Sequence, residues 1–225
     1  MAFTRVRDLA GRAYDRAFPP SKGEHETRYW RGRVREEGTL GNAHYQGVFT
    51  THFDLGADFF AGRRVLDIGC GPRGSLEWAH MAAERVGLDP LTDTYREFGI
   101  DRHKMRYVTA PAEKMPFEAS SFDVVTCLNA LDHVDDLEDT IAELTRVAAD
   151  GATLLVMVET GHPATSTEPQ ELTWDILDRF VEWDVTWTRR NGVRDDHQLY
   201  QSIDEDIPYR TGPGLLRARL VRKSR

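Results

Sequence analysis

The segment Val-Leu-Asp-Ile-Gly-Cys-Gly-Pro-Arg-Gly-Ser, from Val65 to Ser75, constrains this chain more than any other. A short run of branched apolar residues leads directly into Gly69, Gly71 and Gly74, and an amphipathic stretch follows. The pattern predicts a strand, a tight glycine turn and a helix. Glycine has no Cβ, so such a turn lets backbone lie close against a ligand. Asp89 closes the next apolar run, where a carboxylate at the end of a second strand is placed to accept hydrogen bonds from ribose hydroxyls. An adenosine derivative is the ligand this frame suits.

From Ala61 to Val158, short β-branched runs alternate with longer amphipathic stretches, as in a mostly parallel sheet covered by helices. Strands are expected at Arg64 to Ile68, Arg85 to Asp89, Met105 to Thr109, Phe122 to Cys127 and Ala152 to Val158. Helices are expected at Ser75 to Glu84 and at Asp136 to Asp150, the second opening on acidic residues and closing at Gly151. Residues 1–60, Arg-rich and aromatic with Pro19 and Pro20 breaking a first helix, read as a helical cap. After Val158 come a Pro- and Thr-rich loop, a helix from Glu171 to Phe180, and two final strands that pair antiparallel at one sheet edge. The basic C-terminal run predicts an edge strand kept in solvent by its charges. The whole reads as one Rossmann-like α/β/α domain with a seven-stranded, mostly parallel sheet: cap 1–60, cofactor core 61–160, acceptor-side loops and edge strands 161–225.

Charge and composition narrow the function. A net charge of −8 and a pI near 5.5 argue against a general nucleic-acid binder, which needs clustered Lys and Arg. Cys70 and Cys127 have neither metal-site spacing nor disulfide density, and no apolar run approaches membrane-spanning length. A cytoplasmic protein, monomer or homodimer, with a small-molecule acceptor and neither nucleic acid nor membrane as partner is the expectation. Asp67 then separates two cofactor classes. A carboxylate two residues before Gly69 repels the pyrophosphate of a dinucleotide at close range, yet favours the sulfonium and ammonium groups of S-adenosylmethionine. It also suits a local cap on backbone amides.

With these residues in place, VLDIGCGPRG resembles the first motif of class I S-adenosylmethionine-dependent methyltransferases, and further segments follow in that family's order. GLDP, ending in Asp89 and Pro90, is similar to the ribose-binding motif. APAEKMPF resembles the segment along the adenine, which implies a backbone contact at Ala112 with Glu113 beside it; Pro111 stands where the family often has an acid or amide. SFDVVTCLNALDHVDD is similar to the motif bordering the methyl group, which implies Cys127, Leu128 and Asn129 as its lining. The resemblance implies S-adenosylmethionine bound by Asp67, Gly69, Cys70, Gly71 and these residues, with S-adenosylhomocysteine as product and the acceptor methylated at oxygen or nitrogen. The fourth motif lacks the Asn/Asp-Pro-Pro-aromatic element of methylation at planar nitrogens.

Methyl transfer mainly needs alignment and exclusion of water, with a base only for an acceptor that carries a proton. His133, just after the fourth strand, and His162, after the fifth, are the candidate bases. Asp132 and His133, adjacent in sequence, are expected to point apart. In the cap, Tyr29, Trp30, His44, Tyr45 and Phe49 form an aromatic group, with Tyr45 the preferred lid contact. The acidic residues around His197 show no ligand spacing, and no metal is expected. An NAD-dependent oxidoreductase and a cofactor-binding module without turnover are the competing readings.

Overall fold

The computed structural model describes residues 21–196 and 198–224. The helix expected before Pro19, and His197, lie outside them. Helix α1, Lys22–Glu37, starts at a capping box in which Ser21 Oγ accepts from Glu24 N and the Glu24 carboxylate accepts from Ser21 N. It stops at Gly38, whose φ of 76° is a conformation glycine adopts without penalty. A short helix α2, Tyr45–Phe49, and two 3-10 turns complete the described part of the cap.

Seven strands follow: β1 Arg64–Ile68, β2 Glu84–Leu88, β3 Arg106–Val108, β4 Phe122–Leu128, β5 Ala148–Thr160, β6 Trp183–Gly192 and β7 Gly214–Arg222. They form one sheet in the order β3-β2-β1-β4-β5-β7-β6. Strands β1 to β5 are parallel, with Asp67 opposite Gly87 on one side and Thr126 on the other. Strand β7 runs antiparallel between β5 and β6. Chain direction across the sheet reverses at β1, which lies between β2 and β4, and a crevice opens at the carboxyl ends of such strands.

Strand residues alternate between two cores. On one face Leu66, Val125, Cys127, Leu154 and Val156 pack under helix α3, Leu137–Val147. That helix is amphipathic because Leu137, Ile141 and Leu144 recur at helical spacing. Asp136 caps it, its carboxylate accepting from Asp139 N at 2.9 Å. Leu144 is fully buried, a burial worth about 1.5–3 kcal/mol, and truncation to Ala would cost roughly 2–5 kcal/mol. On the opposite face Val65, Val124, Leu128, Leu155 and Met157 meet Tyr45, Phe49, Phe53 and Phe60 of the cap. Asp67, two residues after Val65, therefore faces the cap.

Three local expectations change. Residues 71–83 form a series of turns in place of a helix from Ser75 to Glu84. Arg85 Nη1 donates to the carbonyls of Leu76 and Glu77, and Ser75 Oγ is committed to Asp67, so neighbours take the groups an α-helix would use. The stretch from Glu171 keeps only a 3-10 turn at Ile176–Arg179. In the basic C-terminal run, Arg217 and Arg222 are buried rather than solvated: β7 is interior, and their guanidiniums donate to the carbonyls of His52 and Ala148.

Candidate functional site

Strand β1 ends in backbone only glycine adopts easily: φ is 68° at Gly69 and 57° at Gly71. A Cβ on Gly69 would stand 2.6 Å from the Ala130 methyl, on the loop after β4, and one on Gly71 would press the Trp30 ring at 3.1 Å. Gly69 N donates back to Leu88 O at 2.8 Å, so the turn sits astride β1 and β2.

Two buried carboxylates flank this turn. Asp67 Oδ1 accepts from Thr126 Oγ1 at 2.6 Å and Oδ2 from Ser75 Oγ. Burial, with Asp89 nearby, outweighs these bonds and pushes its carboxyl up to about 7. Asp89 Oδ2 accepts from Gly71 N at 3.2 Å and Oδ1 from Leu91 N at 2.9 Å, and burial pushes it up to about 6. Neither has a cationic side chain against it among the described hydrogen bonds. Two carboxylates held away from their ordinary range mark a place where a cationic ligand would bind favourably.

The other expected residues fall around the turn in different ways. Tyr45, Phe49, Asp67, Gly69, Cys70, Ser75, Leu128 and Tyr200 line a cavity of about 20 Å³, room for little more than one water. Cys70 is buried, and desolvation together with both carboxylates raises its thiol well above the usual range. Leu128 faces this cavity, whereas Cys127 points to the opposite core, as alternate residues of a strand do. Asn129 has a φ of 55°, and its Oδ1 is buried without a hydrogen-bond partner. Pro90 is exposed and Ala112 is buried. Glu113 Oε1 accepts from Asp135 N and Asp136 N at 2.6 and 3.1 Å, which ties the segment after β3 to the loop after β4.

Helix α1 lies over the turn. Trp30 covers Gly71 and meets Tyr95 edge-on at 6.5 Å. Arg73, from the glycine loop, grips Glu37 through two nitrogens at 2.7 and 2.8 Å and donates to Gly41 O at 3.0 Å. That bidentate pair holds the Glu37 carboxyl down to about 2. At the other end of the helix, Lys22 donates to His133 O and pairs with Asp135 at 2.8 Å. Nothing in the local sequence announced these clasps, because their partners are far apart in the chain.

The two candidate bases meet at Asp132. His133 Nε2 and His162 Nε2 lie 4.0 and 3.8 Å from Asp132 Oδ2. The expectation that Asp132 and His133 diverge is thus corrected: the pair sits in a 3-10 turn, Leu131–His133, not in a regular helix. Glu168 joins them, with Oε1 4.0 Å from His133 Nε2. Sequence reasoning missed both Glu168 and the role of Asp132.

Residues 66–156 match the family model described as a methyltransferase domain. That stretch is similar to class I S-adenosylmethionine-dependent methyltransferases. The ubiquinone biosynthesis O-methyltransferase of Methylococcus capsulatus is 31% identical over 141 residues, covering 59% of this chain and 56% of that protein. The ubiquinone/menaquinone biosynthesis C-methyltransferase UbiE of Stutzerimonas stutzeri is 37% identical over 111 residues, 43% of this chain and 41% of that one. The chain thus spans about half the length of the curated relatives it matches. The crystal structure of YcgJ from Bacillus subtilis has the same fold, with a TM-score of 0.56 at 16% identity over 81% of this chain and 99% of that one. Among the described residues no helix is long and apolar enough to cross a membrane.

Proposed function

We propose that the chain is an S-adenosylmethionine-dependent methyltransferase acting on an oxygen or nitrogen of a small-molecule acceptor. The observation that carries this reading is the pair Asp67 and Asp89, buried on either side of a glycine turn at the carboxyl ends of β1 and β2 and raised toward neutrality. The donor set fits the cofactor chemically: two carboxylates short of a counter-charge, a backbone cradle a Cβ would fill, and the unpartnered Asn129 Oδ1. A pyrophosphate over the same carboxylates would be repelled, which disfavours NAD.

In this reading the backbone of Gly69, Cys70 and Gly71 with Asp67 holds the amino acid end of the cofactor, and Asp89 beside Pro90 holds its ribose. The backbone of Ala112 borders the adenine. Glu113 acts through the loop it fastens. Leu128 and Asn129 line the methyl side, Cys127 supports them from behind, and Tyr45 closes the top. When bound, S-adenosylmethionine supplies an activated methyl carbon bearing a sulfide leaving group. The chain's own task is to bring the acceptor oxygen or nitrogen in line with that carbon, exclude water and receive the acceptor proton. His162 suits the proton. Its Nδ1 lies 3.1 Å from Pro163 O, an acceptor, and its Nε2 is turned toward Asp132 Oδ2 at 3.8 Å, where that carboxylate would steady an imidazolium once the proton is taken. His133 Nε2 lies 4.0 Å from the same oxygen of Asp132.

Calorimetric titration with S-adenosylhomocysteine and, separately, with NAD tests the assignment. Saturable binding of the first alone is expected. Binding of NAD alone, or of neither, would overturn it. Asp67→Ala and Asp89→Ala should each weaken the S-adenosylhomocysteine interaction at least tenfold in a folded protein.

A further inference from the structure

The loops after β4 and β5 bring together a group of side chains that cofactor binding leaves unused. One ligand atom each from Asp132, His133 and Glu168 lies within 4.8 Å of the other two. A triangle of that size encloses a point no more than about 2.8 Å from each corner. Ligand bonds of roughly 2.0–2.2 Å to a divalent transition metal then need closure by well under 1 Å. His133 and Glu168, each about a third exposed, have the freedom to move that far, whereas Asp132 is 3% exposed and fixed.

Two further observations point to a ligand here. Asp132 Oδ1 is buried with no hydrogen-bond partner, and Oδ2 has two imidazole nitrogens 3.8 and 4.0 Å away without a hydrogen bond to either. No direct hydrogen bond closes either gap, so this buried carboxylate is left without a close partner from the imidazoles beside it. The loops are also braced from outside. Gln170 N donates to Asp132 O at 3.2 Å, and Gln170 Nε2 donates to Val134 O and Asp135 O at 3.1 Å.

We propose that Asp132, His133 and Glu168 bind a divalent transition-metal cation, of the Mn²⁺, Co²⁺ or Zn²⁺ kind, whose open positions take the acceptor's oxygen. An imidazole with two carboxylates suits these cations better than Mg²⁺ or Ca²⁺, which prefer oxygen alone. Three protein ligands leave coordination positions free, as in catalytic rather than structural sites. The inference rests on the methyltransferase reading for its function but not for its detection. The cluster begins two residues after Ala130, which touches Gly69, so the cation sits beside the methyl site. Coordination lowers the pKa of an acceptor hydroxyl, the proton passes to His162 Nε2, and the oxygen's electron pair forms the new C–O bond as the C–S pair leaves with sulfur.

The test uses the full, tag-free chain, treated with chelator and titrated with Co²⁺ while visible ligand-field absorption is recorded. The expected result is a band saturating at one equivalent, abolished or shifted to at least tenfold higher Co²⁺ in His133→Ala and Glu168→Gln, and unchanged in the exposed control His80→Ala. Retained S-adenosylhomocysteine binding by the first two variants shows that they fold and separates this result from failure of the cofactor assignment. Absence of the band in the wild type, or its persistence in both variants, overturns the site.

Discussion

Lowering the pH should weaken S-adenosylmethionine binding along a curve fixed by two buried carboxyls. In the unliganded protein Asp67 titrates at about 7 and Asp89 at about 6, each raised by burial. A cationic ligand binds their ionised forms, so it must displace whatever protons they hold. If both return to their ordinary range in the complex, the loss is about twofold at pH 7, roughly 20-fold at pH 6 and on the order of 1,000-fold at pH 5 relative to pH 8. These correspond to about 0.4, 1.8 and 4 kcal/mol. Ser75 and Thr126 hydroxyls and the Asp89 charge face Asp67, and none of them supplies the missing positive charge. Calorimetry at pH 8, 7 and 6, in buffers of different ionisation enthalpy, reads both the affinity and the protons released. An affinity constant within twofold from pH 8 to 6, with no proton release, would refute the reasoning. Asp67→Asn should remove the upper part of the curve.

The same shifts act on stability with the opposite sign. A carboxyl whose folded pKa is raised gives its full stabilisation to the fold below the ordinary carboxylate value of 3.8 and loses it progressively as pH rises from there through the folded pKa, here about 6 to 7. Asp67→Asn should therefore stabilise the unliganded protein at pH 8 by about 2 kcal/mol, roughly 4–8 °C in Tm, and by nothing at pH 3; a lower Tm at pH 8 would contradict this. Gly69→Ala combines a positive φ with a clash against Ala130 and should cost about 2–4 kcal/mol, measured by urea unfolding. Glu37→Gln loosens the Arg73 clasp that holds α1 over Gly71 and should raise the S-adenosylhomocysteine association rate several-fold in stopped flow; an unchanged rate would mean that the cap does not gate entry.

Much of the fold is legible in the sequence because β1, β2, β4 and β5 are buried on both faces, and double burial demands apolar, β-branched runs, which predict strands. The glycine turn is equally legible, since positive φ and close packing at Gly69 leave few alternatives. What stayed hidden is set by partners distant in the chain. Helical spacing after Ser75 is real, but Arg85 takes the carbonyls a helix would need. Buried Arg217 looks like a solvent-facing charge until β6 is seen to lie outside β7. Glu168 lies in a Pro- and Thr-rich loop with no periodicity, and only the fold carries it to His133. Glu113, singled out beside an adenine, spends its carboxylate on the amides of Asp135 and Asp136.

A crystal structure of the chain with S-adenosylhomocysteine tests the central claim most directly. The account predicts ribose hydroxyls on Asp89, the ligand's ammonium group over the Gly69 turn on the Asp67 side, and Trp30 lifted from Gly71 with α1. A ligand seated elsewhere on the sheet, or one bound with Trp30 still packed on Gly71, would contradict it.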